Sequence, residues 1–247
     1  MFFEGFRARN IYSGFRYSKD GAVDKIERDY KFSFGSDKPK EVDLNSFRNR
    51  MAFRWHFGSI RKNFDKNPDI TGIYLSDIDM YFQRKNAPEG TTIHEAMHAL
   101  IMRLNRKLNN VVSRNVSEDN VTYQCINEGL CRWVENDITK QHKTYSEQEM
   151  AENFVTLHNA MKDFTNAYNN RQRRKAWKVI ERLSYDIGYN FVSKSLDMLG
   201  WPKKDTHDAL EYIIKNPPQT FGELENPYQY IKERLGLPAK DIFSLAS

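Results

Sequence analysis

The spacing of apolar residues changes near residue 90. Before that point, residues 7–34 alternate apolar and charged side chains around a Lys19–Gly21 turn signal, which predicts a β-hairpin. Residues 70–75 and 79–83 are short apolar runs that predict two strands. Between the predicted hairpin and these strands, residues 45–64 repeat apolar side chains at helical spacing. This spacing predicts one amphipathic helix whose apolar positions are Phe47, Met51, Trp55, Ile60 and Phe64.

Beyond residue 90 the pattern is almost entirely helical. Thr91 or Thr92 is positioned to cap a first helix, and Ser146 with Glu149 matches a capping box. Gly200 marks a helix end. The first predicted helix ends near Leu108. The four that follow span about residues 117–138, 146–168, 173–199 and 205–214. Pro217–Pro218 and the later helix breakers predict an extended tail over the helical core, where it either packs or blocks a cleft.

These elements predict an α+β fold with a small antiparallel or mixed N-terminal sheet, followed by a mostly helical part. We expect residues 1–247 to form a single unit, with residues 1–89 as the mixed part and residues 90–247 as the helical part. The hydrophobic content of 39% supports a packed core and excludes a disordered chain.

Charge and cysteine content narrow the partners and the compartment. The net charge of +5 is mild, and we interpret the basic run 171–175 as a solvated helix start, so a nucleic-acid partner is not expected. No apolar run is long enough for a membrane span. Cys125 and Cys131 lie on different faces of one predicted helix and cannot easily form a disulfide, which favours a reducing compartment, the cytoplasm.

Residues 94–98 carry the most specific chemical pattern, His-Glu-Ala-Met-His. Two histidines at i and i+4 stand on one face of a helix, so their imidazoles can bind one zinc ion. Glu95 between them can reach the water that zinc activates and take its proton. The competing interpretation is that His94 and His98 are ordinary side chains of an amphipathic helix.

A second motif follows on the next predicted helix: Asn127-Glu128-Gly129, with an aromatic residue and Glu135 after it. Together with His-Glu-x-x-His it resembles the gluzincin zinc metallopeptidases, especially their aminopeptidase-like branch and the compact minigluzincins. The resemblance implies that Glu128 is the third zinc ligand, and that Asn127 and Glu135 support the ligands from a second layer. A surface carboxylate is the alternative for Glu135. The segment between His98 and Glu128 is longer than is usual in the aminopeptidase branch.

A tyrosine completes the resemblance. In aminopeptidase-like gluzincins a tyrosine in Tyr-x-x-Gly donates to the oxyanion of the transition state, which corresponds here to Tyr185 with Gly188. Gly188 would permit close approach to the metal helix. Tyr189 and His207 are the fallback candidates, and a core tyrosine is the alternative interpretation for Tyr185.

The resemblance implies a zinc-dependent peptide-bond hydrolase acting on a peptide or protein. The chain lacks the Gly-x-Met-Glu-Asn motif with which the related aminopeptidases hold a substrate amino terminus, so an endopeptidase or dedicated protease is the preferred prediction. A sheet strand precedes the metal helix in this family and pairs with extended substrates, and residues 70–75 are the candidate. The lack of alternating charge in this segment suits a buried strand equally well. Two alternatives remain: a non-catalytic or self-inhibited scaffold of the same fold, and a basic nucleic-acid-binding protein.

Overall fold

The computed structural model describes Phe15 and residues 21–36, 38–66, 70–84, 87–109, 116–200 and 206–235. It is mostly helical with a small mixed sheet on its N-terminal side, which confirms the predicted α+β class. The chain divides into two compact units between Leu100 and Ile101. The prediction that residues 1–247 act as a single unit stays a prediction. Within the described residues, no helix has the length and apolarity needed to cross a membrane.

The described residues of the first unit form the sheet, four α-helices and a short 3-10 helix (Ser76–Ile78). The strands are β1 (Lys40–Asp43), β2 (Gly72–Leu75) and β3 (Met80–Gln83), in the order β1-β3-β2. β3 pairs in parallel with β1 and antiparallel with β2, where Ile73 lies opposite Phe82. The helices are α1 (Ala22–Tyr30), α2 (Phe47–His56), α3 (Gly58–Lys66) and α4 (Glu89–Leu104), and α4 continues past the division between the units.

Aromatic residues form the core of this unit. Phe53 of α2 packs on Phe82 of β3 with ring centroids 4.8 Å apart, and Phe15 meets the same ring at 5.4 Å. The buried cluster also contains Val42, Leu44, Phe64 and Met80. The two strands predicted at residues 70–75 and 79–83 are therefore confirmed, and both contribute to a sheet with one face on the core.

Two predictions for the first unit are wrong. Residues 22–30 form helix α1 rather than a hairpin arm, because Ala22, Ile26 and Tyr30 recur at four-residue spacing and are all buried. The earlier part of the predicted hairpin, residues 7–14 and 16–20, lies outside the described residues. The predicted helix over residues 45–64 is two helices separated at Phe57.

The break at Phe57 changes which face of α2 is buried. Phe53 and Asn49 point inward, whereas Phe47 and Trp55, predicted on the apolar face, are 72% and 86% exposed. A single hydrophobic period cannot continue through the break, because α3 begins with a new direction and buries Phe64. Apolar spacing thus located the helical segment but gave the wrong inner face for its first half.

The second unit is a set of helices around one long helix. After the short α5 (Arg106–Asn109) come α6 (Glu118–Thr139), α7 (Glu147–Asn166), α8 (Asn170–Met198), α9 (Thr206–Lys215), α10 (Phe221–Glu225) and α11 (Pro227–Leu235). α6 and α7 both pack along α8. Ser117 caps α6, and the Ser146–Glu149 capping box is present at the start of α7, as predicted.

The tail is helical, which contradicts the predicted extended segment. Thr220 and Glu223 form a capping box at the start of α10, and Pro227 begins α11. Proline is well tolerated in the first turn of a helix, because the N–H it lacks has no partner there in any case. The Tyr230 hydroxyl donates to the Asn216 carbonyl (2.7 Å) and fixes the tail within this unit.

Candidate functional site

Helix α4 carries the two histidines of the first motif on one face. The ring centroids of His94 and His98 are 4.9 Å apart with an interplanar angle of 76°, and His94 is buried with 7% of its surface exposed. Imidazoles this close can direct one nitrogen each at a shared ion with bonds of about 2.0–2.1 Å. The other side of α4 anchors the helix in the core, because its apolar residues are fully buried: Ile93, Ala96, Met97 and Leu100. The donor chemistry and spacing therefore fit zinc.

The start of α4 differs from the sequence prediction. The helix begins at Glu89, and the Thr91 N–H donates to the Pro88 carbonyl (3.0 Å), so Thr91 lies inside the first turn rather than capping it. Its hydroxyl instead lies 3.0 Å from that of Thr71, just before strand β2. This contact fixes the sheet edge against the helix one turn before Glu95.

Strand β2 passes directly beside Glu95, and a Cβ at Gly72 would force the neighbouring side chains to shift. A Cβ on Gly72 would lie 2.6 Å from the Thr91 Cγ2 atom, 2.8 Å from the Glu95 Cγ atom and 2.9 Å from Glu95 Oε1. Real Cβ atoms are essentially never closer than 3.0 Å to such neighbours. The glutamate of the motif is therefore held against the edge strand of the sheet, in contact with its backbone.

This contact gives a first prediction. Gly72→Ala should displace the Glu95 carboxylate while leaving His94 and His98 in place, because the added methyl meets the Glu95 side chain and not the imidazoles. If Glu95 is the catalytic base, the turnover number falls by at least about tenfold, since small misplacements of reacting groups are costly. The matched control is Gly58→Ala, where nothing lies within 4 Å of the new Cβ. Equal turnover in the two variants would contradict the positioning of Glu95 by this strand.

Helix α6 of the second unit carries the Asn-Glu-Gly motif. Asn127 is buried and Glu128 is partly buried. Glu135 lies two turns later with only 13% of its side chain exposed, and Arg132 donates to both of its carboxylate oxygens (3.0 and 3.1 Å). Glu135 is therefore not a solvated surface carboxylate. Its function as a support for zinc ligands stays a prediction.

Two glycines let α6 and α8 cross with their backbones in contact. A Cβ on Gly188 would overlap the Cys125 carbonyl oxygen and lie 3.0 Å from the Gly129 Cα atom. A Cβ on Gly129 would lie 2.5 Å from Gly188 atoms. Gly188 thus approaches the helix that carries Glu128, and the close crossing occurs at the residue next to that glutamate.

Tyr185 lies on α8 between its exposed face and the face that contacts α6. Gly188 lies three residues after Tyr185, and Glu181 lies four residues before it, so all three share one face of the helix. Gly188 contacts α6, and the Glu181 carboxyl senses the negative charge of Glu128. Tyr185 is partly buried and lies between these two positions along α8, at the edge of the face that contacts α6.

Glu181 was missed by the sequence reasoning. Loss of surrounding water raises the pKa of its carboxyl, and the charge of Glu128 raises that pKa further, while Lys178 lowers it. Nothing in the sequence separates this glutamate from the many others of the chain. Only its place four residues before Tyr185 could have singled it out.

The fallback candidates have structural roles. The Tyr189 hydroxyl is buried, accepts the Lys143 N–H (2.9 Å) and lies 3.3 Å from His142 Nδ1, so it fixes the loop after α6. His207 lies 3.6 Å from Glu211 one turn along α9. Their use as fallback donors stays a prediction.

The two cysteines are free and buried, as the sequence predicts for thiols that cannot pair with each other. Burial raises the pKa of the Cys125 thiol to about 12, so it stays protonated at neutral pH. Cys131 lies one turn after Glu128 on α6 and has the chemistry of a zinc ligand. Cys131 is therefore the alternative to Glu128 as the third zinc ligand.

Comparison with protein families, with curated protein sequences and with solved structures finds no match to this chain. The motifs and their geometry within each unit are therefore the basis for assigning a function. In the first unit the fold brings together His94, Glu95 and His98. In the second it places Glu128 and Tyr185 on two helices that pack against each other.

Proposed function

We propose that this protein is a zinc-dependent peptide-bond hydrolase of the gluzincin type, acting as an endopeptidase or dedicated protease. The observation that carries the proposal is the arrangement on α4: two paired imidazoles on one face, with the intervening Glu95 held against an edge strand. A structural zinc site has no use for a glutamate in that position. The resemblance of the His-Glu-x-x-His and Asn-Glu-Gly motifs to gluzincins supports the same function.

His94, His98 and Glu128 are the proposed zinc ligands. Two imidazoles and one carboxylate leave a position open for substrate or water, which is the donor set of catalytic rather than structural zinc sites. Zinc bound there would polarise the substrate carbonyl and lower the pKa of a bound water toward 7. Asn127 and Glu135 are proposed to support the ligands, and Arg132 fixes the orientation of the Glu135 carboxylate.

Proton transfer is assigned to Glu95. Its carboxylate accepts a proton from the attacking water and then delivers that proton to the nitrogen of the leaving amine. Both transfers need a fixed carboxylate, and the contact of Gly72 with Glu95 restricts where the group can lie. The Tyr185 hydroxyl is proposed to donate a hydrogen bond to the carbonyl oxygen as it becomes negatively charged.

Strand β2 is the proposed binding edge for the substrate backbone. It is one of the two outer strands of the described β1-β3-β2 sheet, and its first residue lies against Glu95. An extended peptide that pairs with this edge would run past the catalytic glutamate on both sides. This mode suits internal cleavage, in agreement with the missing Gly-x-Met-Glu-Asn motif. The two free cysteines support a reducing compartment, so the cytoplasm is the proposed location.

A complex peptide mixture tests the activity even though the preferred substrate is unidentified. We would incubate the zinc-loaded protein with a proteome-derived peptide library and identify new termini by mass spectrometry. The proposal predicts internal cleavage that stops with a chelator and returns with zinc. A library that stays intact with the zinc-loaded protein, while a reference metallopeptidase cleaves it, would contradict a general peptidase and leave only a dedicated protease.

Tyr185→Phe tests the assignment of the oxyanion donor. The substitution removes one hydroxyl and keeps the partly buried ring, so zinc content and folding should not change. Loss of a single oxyanion donor costs about 10²–10³ in turnover number, and we expect a decrease at the lower end of that range. Tyr189→Phe is the matched control, since its hydroxyl holds a loop. Unchanged turnover in Tyr185→Phe would make this residue a core tyrosine.

A further inference from the structure

The exposed face of α8 carries a line of cations that the proposed hydrolase does not use. Arg171, Arg174, Lys175, Lys178 and Arg182, which we name the basic stripe, fall within an arc of about 100° on the helix. This arc lies opposite the buried face, whose members include Ala176, Ile180 and Leu183. The stripe extends over about 16 Å at 1.5 Å per residue. It is a continuous charged surface, not a scatter of separate cations.

Acidic partners are scarce along the basic stripe. Among the described residues, none of its side chains forms an ion pair or a hydrogen bond, in contrast to Arg132, Lys215 and Arg234. Glu181 lies at the margin of the stripe, and Lys178 lowers the pKa of its carboxyl. The first turn of α8 contains no acidic residue, whereas α6 and α7 both have two there. Arg171 lies in this first turn, where a cation opposes the helix dipole, so helix stability does not account for its presence.

The basic stripe is exposed and has an aromatic residue near its first end. Asn170, Arg171, Arg174, Lys175 and Lys178 line a shallow concavity. Tyr168 lies just before the helix and is 96% exposed. Its backbone N–H donates to the Gln172 side chain (3.1 Å), which fixes it at the start of the helix. An exposed aromatic ring beside a row of cations is the combination that binds single-stranded nucleic acid, by base stacking and phosphate contact.

We propose that the basic stripe and Tyr168 form a binding surface for single-stranded nucleic acid, without sequence preference. The cations contact successive phosphates, and the Tyr168 ring stacks on one base. An acidic protein segment would pair with the cations but would not stack on the exposed Tyr168 ring, so nucleic acid is the favoured ligand. The surface belongs entirely to the second unit and needs no zinc. The sequence prediction of a merely solvated basic run did not take this alignment into account.

Fluorescence anisotropy with a labelled oligo-dT and a labelled oligo-U, each 20 nucleotides long, tests the proposal on the full chain. Arg174→Gln with Lys178→Gln should weaken binding at least about tenfold at low salt. It should also reduce the slope of log K against log salt by about 1.4, for two lost phosphate contacts. The control, Lys162→Gln with Arg173→Gln, removes equal charge at exposed positions outside the stripe. Tyr168→Ala should weaken binding about fivefold or more without changing the salt slope.

Several results would overturn the proposal: no binding of either oligonucleotide at low salt, equal loss in the two double variants, or equal competition by poly-glutamate and by unlabelled oligonucleotide. The last would identify an acidic protein partner instead. Tighter binding of oligo-dT than of oligo-U would identify single-stranded DNA as the preferred ligand, and the reverse would identify RNA. His94→Ala should bind both oligonucleotides as tightly as the natural protein does. The outcome is therefore independent of whether the hydrolase assignment holds.

Discussion

Glu95→Gln is expected to keep zinc and to lose about a thousandfold in turnover number. Glutamine has the size of glutamate and still fits against Gly72, but its amide cannot accept a proton from water or return one to the leaving amine. General acid–base groups contribute about 10²–10⁴ in rate, and this residue is assigned both transfers. The measurement is turnover of the best peptide from the library screen, together with zinc content and thermal unfolding of the same preparation.

Glu135→Gln is the comparison that makes the result specific. It also removes a carboxylate, but one that lies beside Arg132 and is assigned no proton transfer. We expect a smaller loss in this variant, expressed chiefly as weaker zinc binding. If Glu95→Gln retains turnover within a few-fold of the natural protein, the base is another residue and the mechanism proposed for α4 is wrong.

Gly188→Ala is expected to destabilise the protein by about 3 kcal/mol, although alanine normally stabilises a helix interior by up to about 1 kcal/mol. The new methyl would overlap the Cys125 carbonyl oxygen, which is backbone and cannot rotate away. α6 and α8 would have to separate, which loosens the packing along the longest helix. Such a change corresponds to a decrease in melting temperature of about 6–12 °C.

Gly222→Ala provides the matched control, because it also lies within a helix but nothing is closer than 3.8 Å to its new Cβ. Its stability should change by less than about 0.5 kcal/mol. Since Glu128 precedes Gly129 at the crossing, Gly188→Ala should also weaken zinc binding. A Gly188→Ala variant as stable as Gly222→Ala would mean that α6 and α8 are farther apart than the structure shows.

The sequence was a good guide where a local chemical signal determined the structure. The Ser146–Glu149 pair predicted the start of α7, and Ser117 predicted the start of α6, because a side chain that caps a helix leaves a short-range signature. The strands at residues 72–75 and 80–83 were found from short apolar runs. The two histidines on one face of α4 followed directly from i, i+4 spacing.

Predictions failed where tertiary packing selects between two patterns. Residues 22–30 alternate well enough for a strand, but burial of Ile26 and Tyr30 on one side favours a helix. The closeness of Glu181 to Glu128 could not be predicted, because it depends on the crossing of two helices far apart in sequence. The same applies to Gly72, whose contact with Glu95 is apparent only once β2 lies on α4.

Zinc content, measured by inductively coupled plasma mass spectrometry, tests the central claim most directly. The natural protein, His94→Ala, Glu128→Ala and Cys131→Ser would be incubated with zinc and freed of unbound metal. The account predicts about one zinc per chain in the natural protein and in Cys131→Ser, with severe loss in His94→Ala and Glu128→Ala. Full zinc in Glu128→Ala with loss in Cys131→Ser would transfer the third ligand to the cysteine. No zinc in the natural protein would contradict the metal centre and the hydrolase with it.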